Sequence, residues 1–313
     1  MTTADLALGG QGSASGAEPE GRGRRWTMWR GYDEVMGLNA RDQHIARSNT
    51  TAAIRLVTDK VLTKQVLRRV GVPVADTITV IDDRRWARRM SGAELPDSWV
   101  MKPNRGRGGN GILIAAGRMS ARPDGGWRRT SGGPLRVAHV RDHLRLLLDG
   151  EFSGGYHDLA LLEPVLRAHV ELSRLSYQGL PDVRVICTDD QPILAMLRLP
   201  TGRSNGRANL HYGAVGAGVD LDSGRVVAAR VGRHEVARHP DTHRRLVGAR
   251  IPFWDEVLEA AARCGPATGL RYVGADVVVT DSGPLILEVN ARPGLQIQNV
   301  TAGDSPALGV LAR

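Results

Sequence analysis

Cysteine is scarce: Cys187 and Cys264 are the two in 313 residues. They lie far apart, outside any C-x-x-C pair and away from a matched histidine set. That excludes a disulfide framework and a thiolate metal centre, and leaves two buried free thiols. Aromatic residues make up 4% of the chain, too sparse for the stacking platforms of single-stranded nucleic-acid binders. No apolar run reaches the roughly 18 residues of a bilayer-spanning helix. The N-terminus lacks the charged-then-apolar order of a secretory signal. Residues 1–25, rich in Gly, Ser and Ala, are expected to form a disordered tail, and the chain is expected to be cytoplasmic.

What is abundant is arginine. Lys plus Arg total 42 against 33 Asp plus Glu, a net charge of +9. That balance suits anionic partners such as nucleotides or acidic substrates. The excess is scattered over 84–89, 118–145 and 230–250, which reads as solvated basic faces. At 42% hydrophobic content the chain is globular, with length for one large or two small domains.

The segment "TDKVLTKQVLRRVGVPVADT" specifies a helix. Thr58 or Asp59 caps it, Leu62, Val66, Leu67 and Val70 form its apolar stripe, and Gly71 and Pro73 end it. Strands are expected at 77–81, 98–103, in "ILIAAG", and at 158–166. Residues 118–134 read as an insertion or hairpin tip. "VRDHLRLLLDG" and "FWDEVLEAAARCG" are helices, the latter turning Val257, Leu258 and Ala261 inward. "DVRVICTDDQPILAMLRLP" and "ADVVVTDSGPLILEVN" are hairpins. Antiparallel hairpins separated by helices, without βαβ alternation, specify an α+β fold.

The last hairpin carries the sharpest chemistry. If Thr280 pairs with Pro284 across the turn, Asp276 lies opposite Glu288, and Asn290 shares their face. Two carboxylates opposed on strands of Val, Ile and Leu repel each other. A divalent cation reverses that sign, and oxygen donors without His or Cys suit Mg²⁺ or Mn²⁺. The plainer alternative is an edge strand whose polar face meets water. Arg292, just past these residues, is placed to meet a substrate carboxylate.

"KPNRGRGGNG" contains Gly106-x-Gly108-x-x-Gly111, formally a dinucleotide fingerprint. It opens into a strand-like run, where the fingerprint requires a helix. The reading is strand, glycine flap, strand, with backbone N–H groups able to close over phosphates. Lys102 precedes the flap at a strand end and suits a phosphate. His139 and His143 stand four apart on a helix but lack the Glu of H-E-x-x-H. His234, His239 and His243 read as surface-loop residues.

In order, "DKVLTK", "WVMKPNRGRGGNGI", "LLEPVL", "DVRV", "GRANLHYGA" and "GADVVV…LILEVNARPGLQ" resemble the ATP-grasp superfamily, on its alpha-L-glutamate ligase-like branch. The resemblance implies an ATP-grasp fold: two α+β lobes with ATP between them, and the usual N-terminal domain absent or reduced. Residues 26–96 would be a helical N-terminal segment, 97–166 the small lobe with its flap, and 167–313 the large lobe with a metal-binding hairpin. By motif, Lys60 and Lys102 would contact ATP phosphates, with Gly108 and Gly109 in the flap above them. Glu163, Pro164 and Val165 would sit at the adenine, and Asp182 would contact the nucleotide. Arg207 and Asn209 would serve the triphosphate and the reacting carboxylate, joined by Arg292. Asp276, Glu288 and Asn290 would hold Mg²⁺ or Mn²⁺.

The implied activity is an ATP-dependent carboxylate–amine ligase working through an acyl phosphate. Its partners would be ATP, an acidic amino acid or other carboxylate, and an amine acceptor, with no membrane, nucleic acid disfavoured and an oligomer allowed. Two rivals stand beside it: a phosphotransferase or nucleotide-binding module on the same fold, and a basic nucleic-acid-binding protein. Departures from the ligase pattern are the inserted "RAHVELSRLSYQGLP", Arg292 in place of a small residue, and Gln296 in place of Glu.

Overall fold

The computed structural model describes residues 37–106, 108–120, 125–130 and 132–301. The expected tail at 1–25 lies outside the described residues. Three helices come first: α1 (Leu38–Ser48), α2 (Thr51–Thr58) and α3 (Lys60–Arg69). Then follow β1 (Thr79–Ile81), α4 (Arg84–Arg89), β2 (Trp99–Pro103), β3 (Leu113–Arg118), β4 (Trp127–Arg129), β5 (Pro134–Leu135), α5 (Val137–Leu148) and β6 (Ala160–Glu163). The remainder is α6 (Val170–Leu175), β7 (Asp182–Thr188), β8 (Gln191–Leu199), β9 (Val215–Val219), β10 (Val226–Val231), β11 (His234–Glu235), α7 (Trp254–Ala262), α8 (Cys264–Thr268), β12 (Tyr272–Thr280), β13 (Gly283–Asn290) and α9 (Gln298–Thr301).

The strands form two sheets, ordered β1-β6-β2-β3-β4-β5 and β11-β10-β9-β8-β7-β12-β13. Every ladder between these strands is antiparallel, and the chain crosses over through α5 to reach β6 and through α7 and α8 to reach β12. Each sheet has its own core. In the small lobe, Trp99, Met101 and Leu162 meet Val140, Leu144 and Leu148 of α5. In the large lobe, strand alternation sends Val185 and Cys187 to a core shared with α2, α3 and α7. It sends Ile186 to the other face, against Ile45 of α1 and Val300 of α9. The N-terminal stretch divides between lobes: α2 and α3 join the large-lobe core, whereas β1 pairs with β6.

Two local expectations change. Asp59 does cap α3, its Oδ1 accepting from Leu62 N–H at 3.0 Å. The stripe is different: Leu62 and Val70 are 49% and 45% exposed, while Thr63, Lys64 and Leu67 are buried. The helix turns a partly polar face inward because that face borders a charged cleft. In the last hairpin Thr280 pairs with Gly283 and Val279 with Pro284, one residue off the expected register. A bulge between Asp276 and Val277 absorbs the difference, so Asp276 still opposes Glu288 and Gly274 opposes Asn290.

Candidate functional site

The chain contains three lysines, Lys60, Lys64 and Lys102, and all three point into the cleft between the sheets. Glu163, buried at the end of β6, joins two of them: Lys64 Nζ lies 2.5 Å from Oε1 and Lys102 Nζ 2.8 Å from Oε2. Burial outweighs the pull of Glu163 and lowers the Lys64 amine to about 8. Lys64 also donates to Thr77 Oγ1 at 3.0 Å. Sequence reasoning missed Lys64. Its signal was the spacing of four from Lys60, which places both on one side of α3.

Lys60, at the start of α3, holds the root of the glycine flap. Its Nζ donates to the carbonyls of Gly106 at 2.7 Å and Asn104 at 3.3 Å. Glu288 Oε1 lies 3.4 Å away. One cation therefore bridges the flap of the small lobe and β13 of the large lobe.

Beneath it, β7, β8 and β12 carry a buried charge network. Arg184 grips Asp276 with both prongs, Nε to Oδ1 and Nη2 to Oδ2, each 2.7 Å. Arg198 grips Asp182 at 2.5 and 2.7 Å and also reaches Asp276 Oδ2 at 2.9 Å. Burial opposes ionisation of Asp276, but Arg184 and Arg198 overcome it and hold its carboxyl down at about 2. Asp182 shares Arg198 with Asp276, and burial, aided by the Asp276 charge, pushes it up to about 6. Asn290 donates its amide N–H to Asp276 Oδ2 at 3.3 Å.

Can these groups hold a divalent cation? Among the described residues no cluster of three or more His, Cys, Asp or Glu is arranged to do so. The donors here are two opposed carboxylates and one amide. That oxygen set suits Mg²⁺ or Mn²⁺ when further oxygens come from a phosphate-bearing ligand. The donor types fit, with Asp276 able to join them by exchanging an Arg184 or Arg198 contact for the cation.

The flap joins β2 to β3 as a strand–loop–strand. Gly108, Gly109 and Gly111 adopt φ of 65°, 78° and 75°, which side chains disfavour. A Cβ on Gly111 would lie 2.6 Å from the Phe152 ring. His143 Nε2 meets the Gly111 carbonyl at 2.9 Å, so His143 serves the flap root. Across the cleft, Asn209 Nδ2 donates to Gly108 O at 3.4 Å. Asn209 Oδ1 accepts from the His211 backbone. Arg207 lies over the Tyr212 ring at 5.0 Å. Pro164 and Val165 continue directly from Glu163 and are half-buried. Arg292 is exposed and makes no ion pair among the described residues. Cys187 and Cys264 are free and buried.

The fold thus links Lys60 with Glu288, Lys102 with Glu163, and both Asp182, through Arg198, and Asn290 with Asp276, while Asn209 reaches the flap at Gly108. A probable alpha-L-glutamate ligase of Mannheimia succiniciproducens is 36% identical over 70 residues, covering 22% of this chain and 23% of that protein. One from Chromohalobacter salexigens is 40% identical over 63 residues, covering 20% and 21%. The matches thus span about a fifth of these curated relatives. Among solved structures, the ATP-grasp ligase PsnB with minimal precursor, Mg and ADP aligns with a TM-score of 0.45 and 19% identity, over 84% of this chain and 60% of that one. D-cycloserine synthetase DcsG aligns at 0.47 and 15%, over 82% and 70%. The Bacillus anthracis D-alanine–D-alanine ligase aligns at 0.45 and 16%, over 85% and 68%. A family model described as sugar-transfer associated ATP-grasp matches residues 39–309. That span takes in both sheets and every residue of the cleft, and the chain belongs to this ATP-grasp family.

Proposed function

We propose that the chain uses ATP to activate a carboxylate and joins it to an amine. One observation carries this reading. All three lysines of an arginine-rich chain converge on the cleft, where Asp276 and Glu288 oppose each other on the same ladder. Compact ammonium groups suit phosphates, and the opposed carboxylates suit the cation that accompanies them.

In this reading Lys60 and Lys102 contact the phosphates, under the backbone N–H groups of Gly108 and Gly109. Glu163, Pro164 and Val165 border the base, and Asp182 lies on the nucleotide side. Asp276, Glu288 and Asn290 would hold Mg²⁺ or Mn²⁺, which offsets phosphate charge as the γ-phosphoryl moves to the acid. Arg207, Asn209 and Arg292 orient the acid. Arg292 is exposed and has no ion pair among the described residues, so its charge is open to a substrate carboxylate. The closed flap keeps water from the acyl phosphate until the amine attacks its carbonyl carbon and expels phosphate. The protein supplies positioning and electrostatics; no side chain needs to become a nucleophile.

The substrate reading departs from glutamate. The motif resemblance suggested glutamate or another amino acid as the group added; the curated ligases match over about a fifth of their length, and the family description points to sugar transfer. We take the acid or the amine to be borne on a saccharide.

The test is phosphate release from ATP and Mg²⁺ across panels of amino acids, uronic acids and amino sugars, for wild type and Glu288→Ala. Release should require both an acid and an amine. The variant should keep its fold and lose about a hundredfold or more in turnover. Undiminished turnover in the variant would remove Glu288 from the mechanism. Phosphorylation of a hydroxyl compound without amide formation would establish a phosphotransferase instead.

A further inference from the structure

The edge of the large sheet away from β13 carries a second charged surface. After β10 the chain folds back so that Arg225 faces Arg250, and Arg238 faces Arg245, as direct cross-strand partners. Like charges placed this way destabilise a ladder unless an anion lies over them. Arg233 and Arg244 lie in the same stretch of chain, and all six side chains are exposed. Among the described residues none of the six has a carboxylate within ion-pair distance. Arg225, Arg238 and Arg245 instead donate to the backbone carbonyls of Gly248, His243 and Val247. Of the local acids, Asp220 accepts from Ser223, Asp241 from the Gly202 backbone, and Glu235 pairs with Arg230; Asp222 is exposed and stands outside ion-pair distance of the six.

This face is built on a firm base and adjoins the site. Val226 N–H donates to Ala249 O at 2.8 Å and Leu246 N–H to Ala237 O at 2.9 Å. Leu246 and Ile251 are buried in the large-lobe core. His239, which the sequence suggested was a surface residue, is fully buried. Its Nδ1 accepts from the backbone of Asp241 and Thr242, so its Nε2 carries the proton and donates to Pro200 O at 2.9 Å. From Pro200 the chain runs directly to Arg207 and Asn209. The loop that carries the arginines is thus tied to the start of the segment that leads to Arg207 and Asn209.

No Phe, Trp or Tyr occurs between Tyr212 and Phe253. The exposed rings Tyr212 and Phe253 flank this stretch in sequence, so along the arginines themselves recognition is by charge. Guanidinium forks match carboxylates in two-pronged pairs. We infer that this face binds an acidic saccharide chain, its repeated carboxylates lying on the arginines and one end reaching Arg207 and Asn209. The choice of saccharide among polyanions rests on the saccharide reading of the substrate given above.

The experiment measures binding of a fluorescent oligogalacturonate by anisotropy at about 0.1 M salt. Competitors are a neutral maltooligosaccharide and single- and double-stranded DNA of equal charge. The full chain is compared with two triple variants: Arg238→Gln, Arg244→Gln, Arg245→Gln on this face, and Arg85→Gln, Arg88→Gln, Arg89→Gln on α4. The inference expects the oligogalacturonate to bind more tightly than either DNA. The first variant should weaken it about tenfold or more; the α4 variant should leave it unchanged. ATP binding and melting temperature should hold in both. Absence of oligogalacturonate binding, equal weakening in both variants, or tighter binding of DNA overturns it. Because turnover with a small acid does not pass through this face, ligase activity that survives a failed binding test leaves the proposed function standing. Binding without any turnover does the reverse.

Discussion

Asp276 and Glu288 stand directly opposite each other on the β12–β13 ladder, yet they are neutralised by different cations. Asp276 is held by Arg184 and Arg198 inside the sheet, whereas Glu288 meets Lys60 at the cleft. The two carboxylates therefore have separable roles, and substitution should show it. Asp276→Asn leaves half-buried Arg184 without its carboxylate and Arg198 with Asp182 alone, and should cost roughly 3 kcal/mol in urea unfolding. Glu288→Ala should cost at most about 1 kcal/mol, because its pair is partly exposed. Both should lose turnover. Equal stability losses would show that the arginine network does not depend on Asp276.

Lys64 makes stability depend on pH in a particular window. Its folded value of about 8 lies below the ordinary 10.5. The unfolded chain then binds more protons than the folded one between those values. Stability from this group rises as pH climbs through that window, by on the order of 3 kcal/mol in full. Lys64→Met should flatten that rise. The measurement is urea unfolding of both proteins at several pH values from 7 to 10; parallel profiles would refute the assignment.

The flap root depends on a missing side chain. Gly111→Ala places a methyl where the Phe152 ring lies, at a positive φ that also disfavours alanine. The flap should loosen, seen as faster tryptic cleavage after Arg105, with a loss of about 1–3 kcal/mol. Adding Phe152→Ala should recover part of the protection by opening space. If the double variant is cut as fast as the single, backbone conformation and not the ring is the constraint.

Thiol chemistry gives a simple check on the large-lobe core. Burial pushes the Cys264 thiol up to about 12 and raises Cys187 further. Neither should react with a disulfide reagent at pH 8 until denaturant is added, when both should titrate. Rapid modification of the native protein would place one of them outside the core.

Much of the site was readable in the linear chain because its signals are local. A helix capped by Asp59, a glycine loop between two strands, and acids at opposing hairpin positions each follow from spacing of a few residues. The α+β class followed from antiparallel hairpins separated by helices. The bulge at Asp276 shows the limit of such counting: the turn register was off by one residue, and the strand corrected it before the carboxylates. The stripe of α3 shows another limit. Periodicity chose Leu62 and Val70, but a helix buries whatever its neighbours require, and this one borders a charged cleft.

The sequence by itself determined which residues were candidates to meet phosphate and a cation, each at an element's end or along one strand face. Tertiary structure alone decided who neutralises whom: Lys64 with Glu163, Arg184 and Arg198 with Asp276, and His239 beneath the arginine face. Side chains distant in sequence become partners only when sheets and helices close over them. Burial then makes an unpaired charge too costly to keep.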